Sequence, residues 1–303
     1  MDRKQIAGNL AAATAYSIFG LNIVLCKDIA KSAVIAPLPL FTVRAISAAV
    51  LFWLLSFALP REKVDPRDLP KIAIASLVGL FIPQATFLSA ITVSTPIDTA
   101  IFGTLSPIFT MFIAAIVLKE PITLKKATGV AVSLAGVLLL IFNSATTSNG
   151  VEKTSMTGVA LLLLNALSFA AYLGIFRPLI SKYSVVTFMK WMFLFAFCIA
   201  LPFSAKGLAA TDFAAIPANV MWEIGFLVFF ATFVAYFLIP IGQKNVRPTI
   251  VSMYSYLQPV IAVALSVAVG MDIFSWQKAV AAVLVIAGVV IVNRSRAAAP
   301  IVR

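Results

Sequence analysis

Histidine is absent from this chain and cysteine is scarce. The 303 residues include no histidine and two cysteines, Cys26 and Cys198. Because histidine is the commonest metal ligand and a frequent general base, its absence excludes His-ligated zinc or haem and Ser–His or Cys–His nucleophile pairs. The cysteines lie in separate apolar runs without C-x-x-C spacing, so we expect no disulfide. The sequence therefore predicts neither an enzyme nor a bound cofactor or metal.

Charged residues are also few. They make up 11% of the chain, and apolar residues make up 62%, whereas a soluble domain has roughly 25% and 45–50%. A soluble chain of this length would have too little polar surface to cover its apolar residues, so we expect a lipid bilayer around it. The net charge of +12 would suggest nucleic-acid binding in a soluble protein. Here the bases flank apolar runs, so we assign them to membrane topology and expect no nucleic-acid partner.

Ten apolar segments follow one another along the chain. Each has about the ~20 residues that a helix needs to cross ~30 Å of hydrocarbon. In lipid the backbone must satisfy its own hydrogen bonds, so we expect helices, and the ~10-residue alternating segments of a β-barrel are absent. The sequence predicts an all-α integral membrane protein with ten transmembrane helices near 7–26, 38–59, 70–91, 97–118, 124–142, 157–176, 184–203, 219–240, 248–270 and 275–293.

The chain contains an internal repeat. A shift of 152 superimposes Pro96–Val137 on Pro248–Val289 without a gap, matching Pro107 with Pro259 and Glu120 with Asp272. Five helices per copy is an odd number, so the copies must cross the membrane in opposite senses. Many secondary transporters are built from such inverted repeats and bind substrate near the midplane. We predict two inverted-topology repeats of five helices each, 1–146 and 147–303.

The distribution of Lys and Arg predicts the orientation. With the N-terminus in the cytoplasm, the inner side carries 16 basic residues, and the outer side carries five, Lys27, Lys31, Lys153, Lys206 and Lys278. Cytoplasmic loops are enriched in Lys and Arg. We therefore expect a multi-pass protein of the cell membrane with both termini in the cytoplasm.

Several motifs resemble those of a known family. They are Ile18-Phe19-Gly20-Leu21-Asn22 followed by Lys27, Arg44, Leu118-Lys119-Glu120-Pro121 with Gly129 and Gly136, and, more loosely, Ser168-Phe169-Ala170, Asp272 and Gly288. Together they resemble the EamA-type transporters of the drug/metabolite transporter superfamily over essentially the whole chain. Phe19 replaces the usual Trp, and Lys119 replaces the usual Gly. The resemblance implies a small-metabolite permease, often an exporter of amino acids or related compounds.

Polar side chains inside the predicted spans are the candidates for substrate contacts. A single one in a transmembrane helix more often bonds a neighbouring helix than a ligand. As a set near the middle of several helices, however, they are the best candidates for lining a midplane cavity. The set is Asn22, Gln84, Asn165, Tyr236, Tyr256 and Gln258, and in it Gln84 and Tyr236 are 152 residues apart. Pro107 and Pro259, each about ten residues into its helix, predict kinks at matching positions.

Arg44 and Lys190 are the only basic residues inside the predicted spans and away from both ends. A charge at such a depth costs roughly 2.5–3.5 kcal/mol on insertion scales. One interpretation is that both side chains extend along their helices toward the membrane surface. The other is that they draw an anionic group of the substrate, most simply a carboxylate, toward the cavity. Both interpretations stay open.

Three classes of function fit a membrane protein of this kind. The pattern favours a secondary transporter that exports small polar metabolites, such as amino acids, by alternating access around the midplane cavity. A channel would show rings of charge or a filter loop, and an enzyme would show a nucleophile with its base or a metal cluster. Neither pattern is present, so both classes are disfavoured. A channel or an interaction scaffold without carrier activity is kept as the alternative to the transporter.

We predict that an impermeant thiol reagent added outside labels Ser148→Cys and leaves Asp65→Cys unlabelled, after Cys26 and Cys198 have been replaced. The reason is the 16-to-5 distribution of basic residues, which places the 59–70 loop in the cytoplasm. Labelling of both positions after the membrane is permeabilised serves as the control. Labelling of Asp65→Cys alone in intact cells would reverse the orientation.

Overall fold

The computed structural model describes residues 3–94, 96–103, 105–117, 119, 122–147, 155–268 and 276–294. Within them every regular element is a helix. The principal helices are α1 (Arg3–Ser32), α2 (Pro37–Phe57), α3 (Leu69–Thr92), α4 (Pro96–Gly103 and Ser106–Val117), α5 (Leu124–Thr147), α6 (Met156–Ile175), α7 (Val185–Ala210), α8 (Ala218–Asn245), α9 (Pro248–Met253 and Leu257–Ala268) and α10 (Trp276–Asn293). Glu120 and Asp272, matched in the repeat, lie outside the described residues.

The predicted all-helical membrane fold is confirmed. Seven stretches in the described part of the chain are long and apolar enough to cross a membrane: α1, α2, α3, α6, α7, α8 and residues Pro248–Leu265 of α9. Large apolar side chains point outward, with Phe57 76% and Ile116 78% exposed, while the polar Gln243 and Thr110 are completely buried. This distribution suits lipid as the solvent, because lipid solvates apolar surface and leaves polar groups to find partners inside.

Several helices extend beyond the predicted apolar segments. The sequence predicts ends near residues 26, 203 and 240, whereas α1 continues to Ser32, α7 to Ala210 and α8 to Asn245. The added turns contain polar residues such as Lys31 and Lys206. Hydropathy marks where a helix leaves the hydrocarbon, but backbone hydrogen bonds continue a helix into the interface as long as no residue interrupts them.

The packing of the helices repeats between the two halves of the chain. The closest neighbours are α5 with α10, α2 with α7, α1 with α8 and α9, and α6 with α3 and α4. Replacing each helix by its counterpart, five helices later in the first half and five helices earlier in the second, reproduces the same neighbours. The pair α1–α8 becomes α6–α3, and the pair α1–α9 becomes α6–α4. The described helices therefore pack with an internal two-fold relationship.

A basic side chain donates to backbone carbonyl oxygens at the C-terminal end of each of the helices α3 and α8. Lys27 Nζ donates to the carbonyl oxygens of Ile91 at 3.2 Å and Ser94 at 3.0 Å. Arg177, 150 residues after Lys27, donates to the carbonyl oxygens of Gln243 at 3.2 Å and Val246 at 3.4 Å, which are 152 residues after Ile91 and Ser94. A cation at a helix C-terminus satisfies free carbonyls and is favoured by the helix dipole. The repeat thus extends to the ends of these helices.

Both α3 and α8 contain a π-helical stretch. It spans Leu77–Phe81 in α3 and Leu227–Val234 in α8, and a shift of 152 places the first inside the second. In α3, Pro83 has no N–H to offer the Val78 carbonyl, which instead accepts from the Ser168 hydroxyl of α6 at 2.7 Å. In α8, the Thr232 hydroxyl donates to its own helix at the Leu227 carbonyl, at 2.7 Å. Side chains thus satisfy the backbone where the helix departs from α geometry.

Both α4 and α9 are interrupted close to the repeated prolines, at the positions where the sequence predicts kinks. The two pieces of α4, Pro96–Gly103 and Ser106–Val117, meet just before Pro107. In α9 a 3₁₀ turn, Tyr254–Tyr256, interrupts the helix just before Pro259. A proline removes one backbone hydrogen bond and its ring pushes against the preceding turn, so a break immediately upstream is expected.

At one end of the helix bundle, charged side chains join the two halves of the chain. The Asp68 carboxylate accepts from Lys182 at 2.5 Å, from Lys71 at 2.8 Å and from the Tyr183 hydroxyl at 2.8 Å. Hydrogen bonds from Lys182, Lys71 and Tyr183 hold the pKa of the Asp68 carboxyl well below its usual range. Lys244 also donates to the Tyr183 carbonyl oxygen. Loops that the charge distribution assigns to the cytoplasm therefore lie together.

The helices α5 and α10 approach closely at two glycines. A Cβ added to Gly288 would lie 1.9 Å from Ser133 Oγ and 2.6 Å from the Gly129 carbonyl oxygen. Small residues allow transmembrane helices to pack backbone against backbone, which provides much of their association energy in lipid. Gly288 is therefore a packing residue.

We expect Gly288→Ala to lower the midpoint of thermal unfolding in detergent, because overpacking of this kind typically costs about 1–3 kcal/mol. Gly225→Ala in α8 is the matched control, since no atom lies within 4 Å of the added Cβ. There the helix propensity of alanine should raise the midpoint slightly. Equal midpoints for Gly288→Ala and the parent protein would contradict the close contact between α5 and α10.

Candidate functional site

A cavity lies between helices α1, α3, α4, α6, α8 and α9. Its volume is about 70 Å³, several times the ~10–15 Å³ that one water molecule needs. Its polar wall is formed mainly by four carboxamide side chains, Asn22, Gln84, Asn165 and Gln258. Aromatic rings complete much of the wall, namely Tyr16, Phe19, Phe87, Phe169 and Tyr236.

Equivalent residues of the two halves face this cavity together. Gln84 pairs with Tyr236, Gly103 with Ser255 and Ser106 with Gln258 at the offset of 152, and Phe19 pairs with Phe169 at an offset of 150. Gln84 Nε2 donates a hydrogen bond to the Tyr236 hydroxyl at 2.7 Å. Two residues related by a two-fold axis meet only on that axis. The cavity is therefore located where the two halves of the chain join.

Several polar atoms of the wall have no hydrogen-bond partner among the described residues. They are the Tyr16 hydroxyl, Gln84 Oε1 and the Ser255 hydroxyl, all of which are buried. Asn165, by contrast, donates to the Pro83 carbonyl oxygen at 2.7 Å. An unpartnered buried polar group costs about 1–3 kcal/mol. These atoms are positioned to receive hydrogen bonds from, or give them to, a molecule inside the cavity.

The comparison with protein families agrees with this architecture. The model of the EamA-like transporter family matches residues 6–142 and again residues 156–294. The chain belongs to the EamA-like transporter family. It is a membrane transporter and not an enzyme.

Relatives of this EamA-family transporter occur in bacteria. The chain is 27% identical over 252 residues to the uncharacterized transporter YyaM of Bacillus subtilis (strain 168), covering 80% of each chain. It is 23% identical over 296 residues to YetK, another uncharacterized transporter of that organism, covering 95% of this chain and 87% of the relative. A solved crystal structure shares the fold with a TM-score of 0.74 at 15% identity, covering 95% of each chain.

Five of the eight residues predicted from the sequence to contact substrate lie in the cavity wall of the EamA-family chain: Asn22, Gln84, Asn165, Tyr236 and Gln258. The structure does not bring the other three, Arg44, Lys190 and Tyr256, into this wall. Tyr256 is completely buried, and its hydroxyl has no hydrogen-bond partner among the described residues.

Arg44 is buried between α2 and α8. Only 1% of the residue is exposed, and its Nε donates to the Thr232 hydroxyl at 2.8 Å. Thr232 is the residue whose hydroxyl also donates to the Leu227 carbonyl in the π-helical stretch. Arg44 therefore links α2 to the irregular part of α8 through Nε, while its two terminal nitrogens are buried without a hydrogen-bond partner among the described residues.

Lys190 lies at the end of the bundle that carries Asp68. Its Nζ sits 4.6 Å from the centre of the Trp53 ring, in cation–π geometry. It borders a surface groove together with Trp191 and the loop residues Glu62, Lys63 and Asp65. This placement matches the interpretation in which the side chain extends toward the membrane surface.

Apart from Tyr236, sequence reasoning did not select the aromatic rings or the small hydroxyls of the wall as substrate contacts. Phe19 and Phe169 occupy equivalent positions in α1 and α6, and Ser255 is equivalent to Gly103. A second repeat offset of 150 for the first helix of each half is the signal that identifies the phenylalanine pair. No comparable signal marks Tyr16, whose equivalent position at that offset is Ala166.

We expect Thr232→Val to lower the midpoint of thermal unfolding, because it removes the acceptor of Arg44 Nε and the donor to the Leu227 carbonyl while keeping the side-chain shape. Leaving buried groups without partners costs about 1–3 kcal/mol. Thr232→Ser keeps the hydroxyl and is the control. If serine and valine destabilise the protein equally, the hydroxyl is not what stabilises this contact.

Proposed function

We propose that this EamA-family transporter is a secondary transporter that exports small polar metabolites across the cell membrane by alternating access. The single observation that carries the proposal is the Gln84–Tyr236 hydrogen bond of 2.7 Å between equivalent positions, inside a cavity lined by both halves. A site on the axis between two repeats can open to either side when one repeat tilts against the other.

The proposed architecture is ten transmembrane helices in two inverted repeats, residues 1–146 and 147–303, with both termini in the cytoplasm. The exchange symmetry of the helix packing supports it. The matching π-helical stretches of α3 and α8 and the matching breaks of α4 and α9 support it as well. In this arrangement the Asp68–Lys182 ion pair lies on the cytoplasmic side and joins the two repeats there.

The proposed substrate contacts are the five sequence-predicted residues of the wall: Asn22, Gln84, Asn165, Tyr236 and Gln258. Carboxamides offer one acceptor and two donors each, so they can bind polar groups of either kind. The broken helices α4 and α9 pass the cavity at Gly103 and Ser255. Irregular backbone at membrane depth is tolerated where it lines a cavity, and in secondary transporters such helices often form the binding site.

We expect purified protein in proteoliposomes to show saturable flux of a transported metabolite and counterflow, in which internal substrate accelerates entry of labelled substrate. Gln84→Leu should raise the apparent KM roughly tenfold, the equivalent of one lost hydrogen bond of about 1.4 kcal/mol. Gln5→Leu is the control, because Gln5 is exposed at the start of α1.

Flux that rises linearly with concentration and shows no counterflow would instead indicate a channel. That result would set aside alternating access. An unchanged KM in Gln84→Leu, with normal counterflow, would remove Gln84 from the proposed substrate contacts and leave the transport function in place.

A further inference from the structure

We infer that the cavity binds an uncharged, planar heterocycle that carries a hydrogen-bond donor beside an acceptor, as a nucleobase does. The inference rests on the proposed function, because it names the substrate class of the same cavity. It follows from two features of the wall: the kind of its polar groups and the number of its aromatic rings.

The polar groups of the described wall are neutral. They are four carboxamides, the hydroxyls of Tyr16, Tyr236, Ser106 and Ser255, and backbone. A charged ligand that leaves water for a protein interior pays a large desolvation cost unless an opposite charge meets it. Neutral dipoles match a ligand that is itself neutral and polar.

The two intramembrane bases predicted to attract an anion lie outside the wall, and the two terminal nitrogens of Arg44 have no hydrogen-bond partner among the described residues. Arg44 donates to Thr232 between α2 and α8, and Lys190 lies over the Trp53 ring at one end of the bundle. Neither side chain borders the cavity. A carboxylate held by Gln84 or Gln258 would therefore receive dipoles rather than a positive charge from the described wall.

The aromatic rings supply flat apolar faces close to these carboxamides. Phe19 packs edge-on against Tyr16 and Tyr236, with ring centres 5.7 and 5.5 Å apart. Its equivalent, Phe169, comes from the other half of the chain. Stacking of a planar base on an aromatic side chain contributes about 1–3 kcal/mol. A planar ligand gains this stacking energy, and a bulky aliphatic ligand does not.

Carboxamides recognise the edges of heterocycles by paired hydrogen bonds. Asn and Gln bind adenine in this way, with the amide donating to one ring position and accepting from its neighbour. Beside Gln258 the wall contains Gly103, where an added Cβ would come within 3.7 Å of Gln258 Oε1. The missing side chain leaves this carboxamide oxygen accessible.

Counterflow in proteoliposomes with two matched pairs of probes tests the inference. Orotate is uracil with an added carboxylate, and nicotinate is nicotinamide with a carboxylate in place of the amide. We expect uracil and nicotinamide to drive saturable counterflow, and orotate and nicotinate to be at least tenfold weaker competitors. Leucine, a zwitterion, and glutamate, an anion, are included as non-planar probes that carry ionised groups, and protein-free vesicles correct for passive entry.

The possible outcomes separate the inference from the proposed function. Saturable counterflow of leucine, glutamate or the two carboxylates, with none by uracil or nicotinamide, overturns the neutral-heterocycle assignment and leaves the transporter intact. Linear flux of every probe, without counterflow, overturns alternating access and the inference with it. Equal competition by the neutral and carboxylate members of both pairs also contradicts the inference.

A variant of Gln258 tests whether this carboxamide distinguishes the neutral from the anionic ligand. Gln258→Lys introduces a positive charge into the wall, so we expect the preference for uracil over orotate to fall at least tenfold or to reverse. Gln5→Lys adds the same charge at an exposed position and should leave the preference unchanged. A general loss of folding would weaken both probes equally and is monitored by thermal unfolding. An unaltered uracil-to-orotate ratio in folded Gln258→Lys contradicts recognition by the carboxamides.

Discussion

The structure depends on one constraint: in hydrocarbon, each backbone N–H and C=O must find a partner inside the protein. Regular helices meet it by themselves, and the informative places are those where the helices are irregular. The Ser168 hydroxyl donates to the Val78 carbonyl, for which Pro83 has no N–H, and the Thr232 hydroxyl donates to the Leu227 carbonyl. At the helix ends, Lys27 and Arg177 bind the last carbonyls of α3 and α8. Side chains of neighbouring helices thus fix where the irregular backbone can lie.

These side-chain contacts with the backbone occur in both halves because the second half of the chain repeats the first. A helix break in one half has its counterpart in the other, and the axis that relates them passes near Gln84 and Tyr236. The repeat is not perfect in its side chains. Each of these pairs of equivalent positions holds two different residue types: Gln84 and Tyr236, Gly103 and Ser255, and Ser106 and Gln258. Duplication provides the symmetric frame, and the differences between equivalent residues give the cavity a chemistry that neither half has alone.

Charge is separated from the cavity in the described part of the molecule. Asp68 and its cations lie at one end, Lys190 lies over Trp53, and Arg44 is buried between α2 and α8. Arg44 is the side chain for which burial is least expected, since an isolated charge in low dielectric is costly. Its bond to Thr232 connects α2 with the π-helical part of α8, and that connection gives Arg44 a packing role apart from any substrate.

The sequence by itself determined the membrane class, the approximate positions of the helices, the internal repeat, the helix breaks near Pro107 and Pro259, and the polar residues available for a site. All of these follow from properties along the chain: hydropathy, proline chemistry and spacing. It did not determine which polar residues share a cavity. Hydropathy gives the depth of a residue in the bilayer, but the rotation of a helix about its own axis is set by packing against its neighbours. For this reason Gln84 and Tyr236 meet, whereas Arg44, Lys190 and Tyr256 face elsewhere, and only the tertiary structure decided between them.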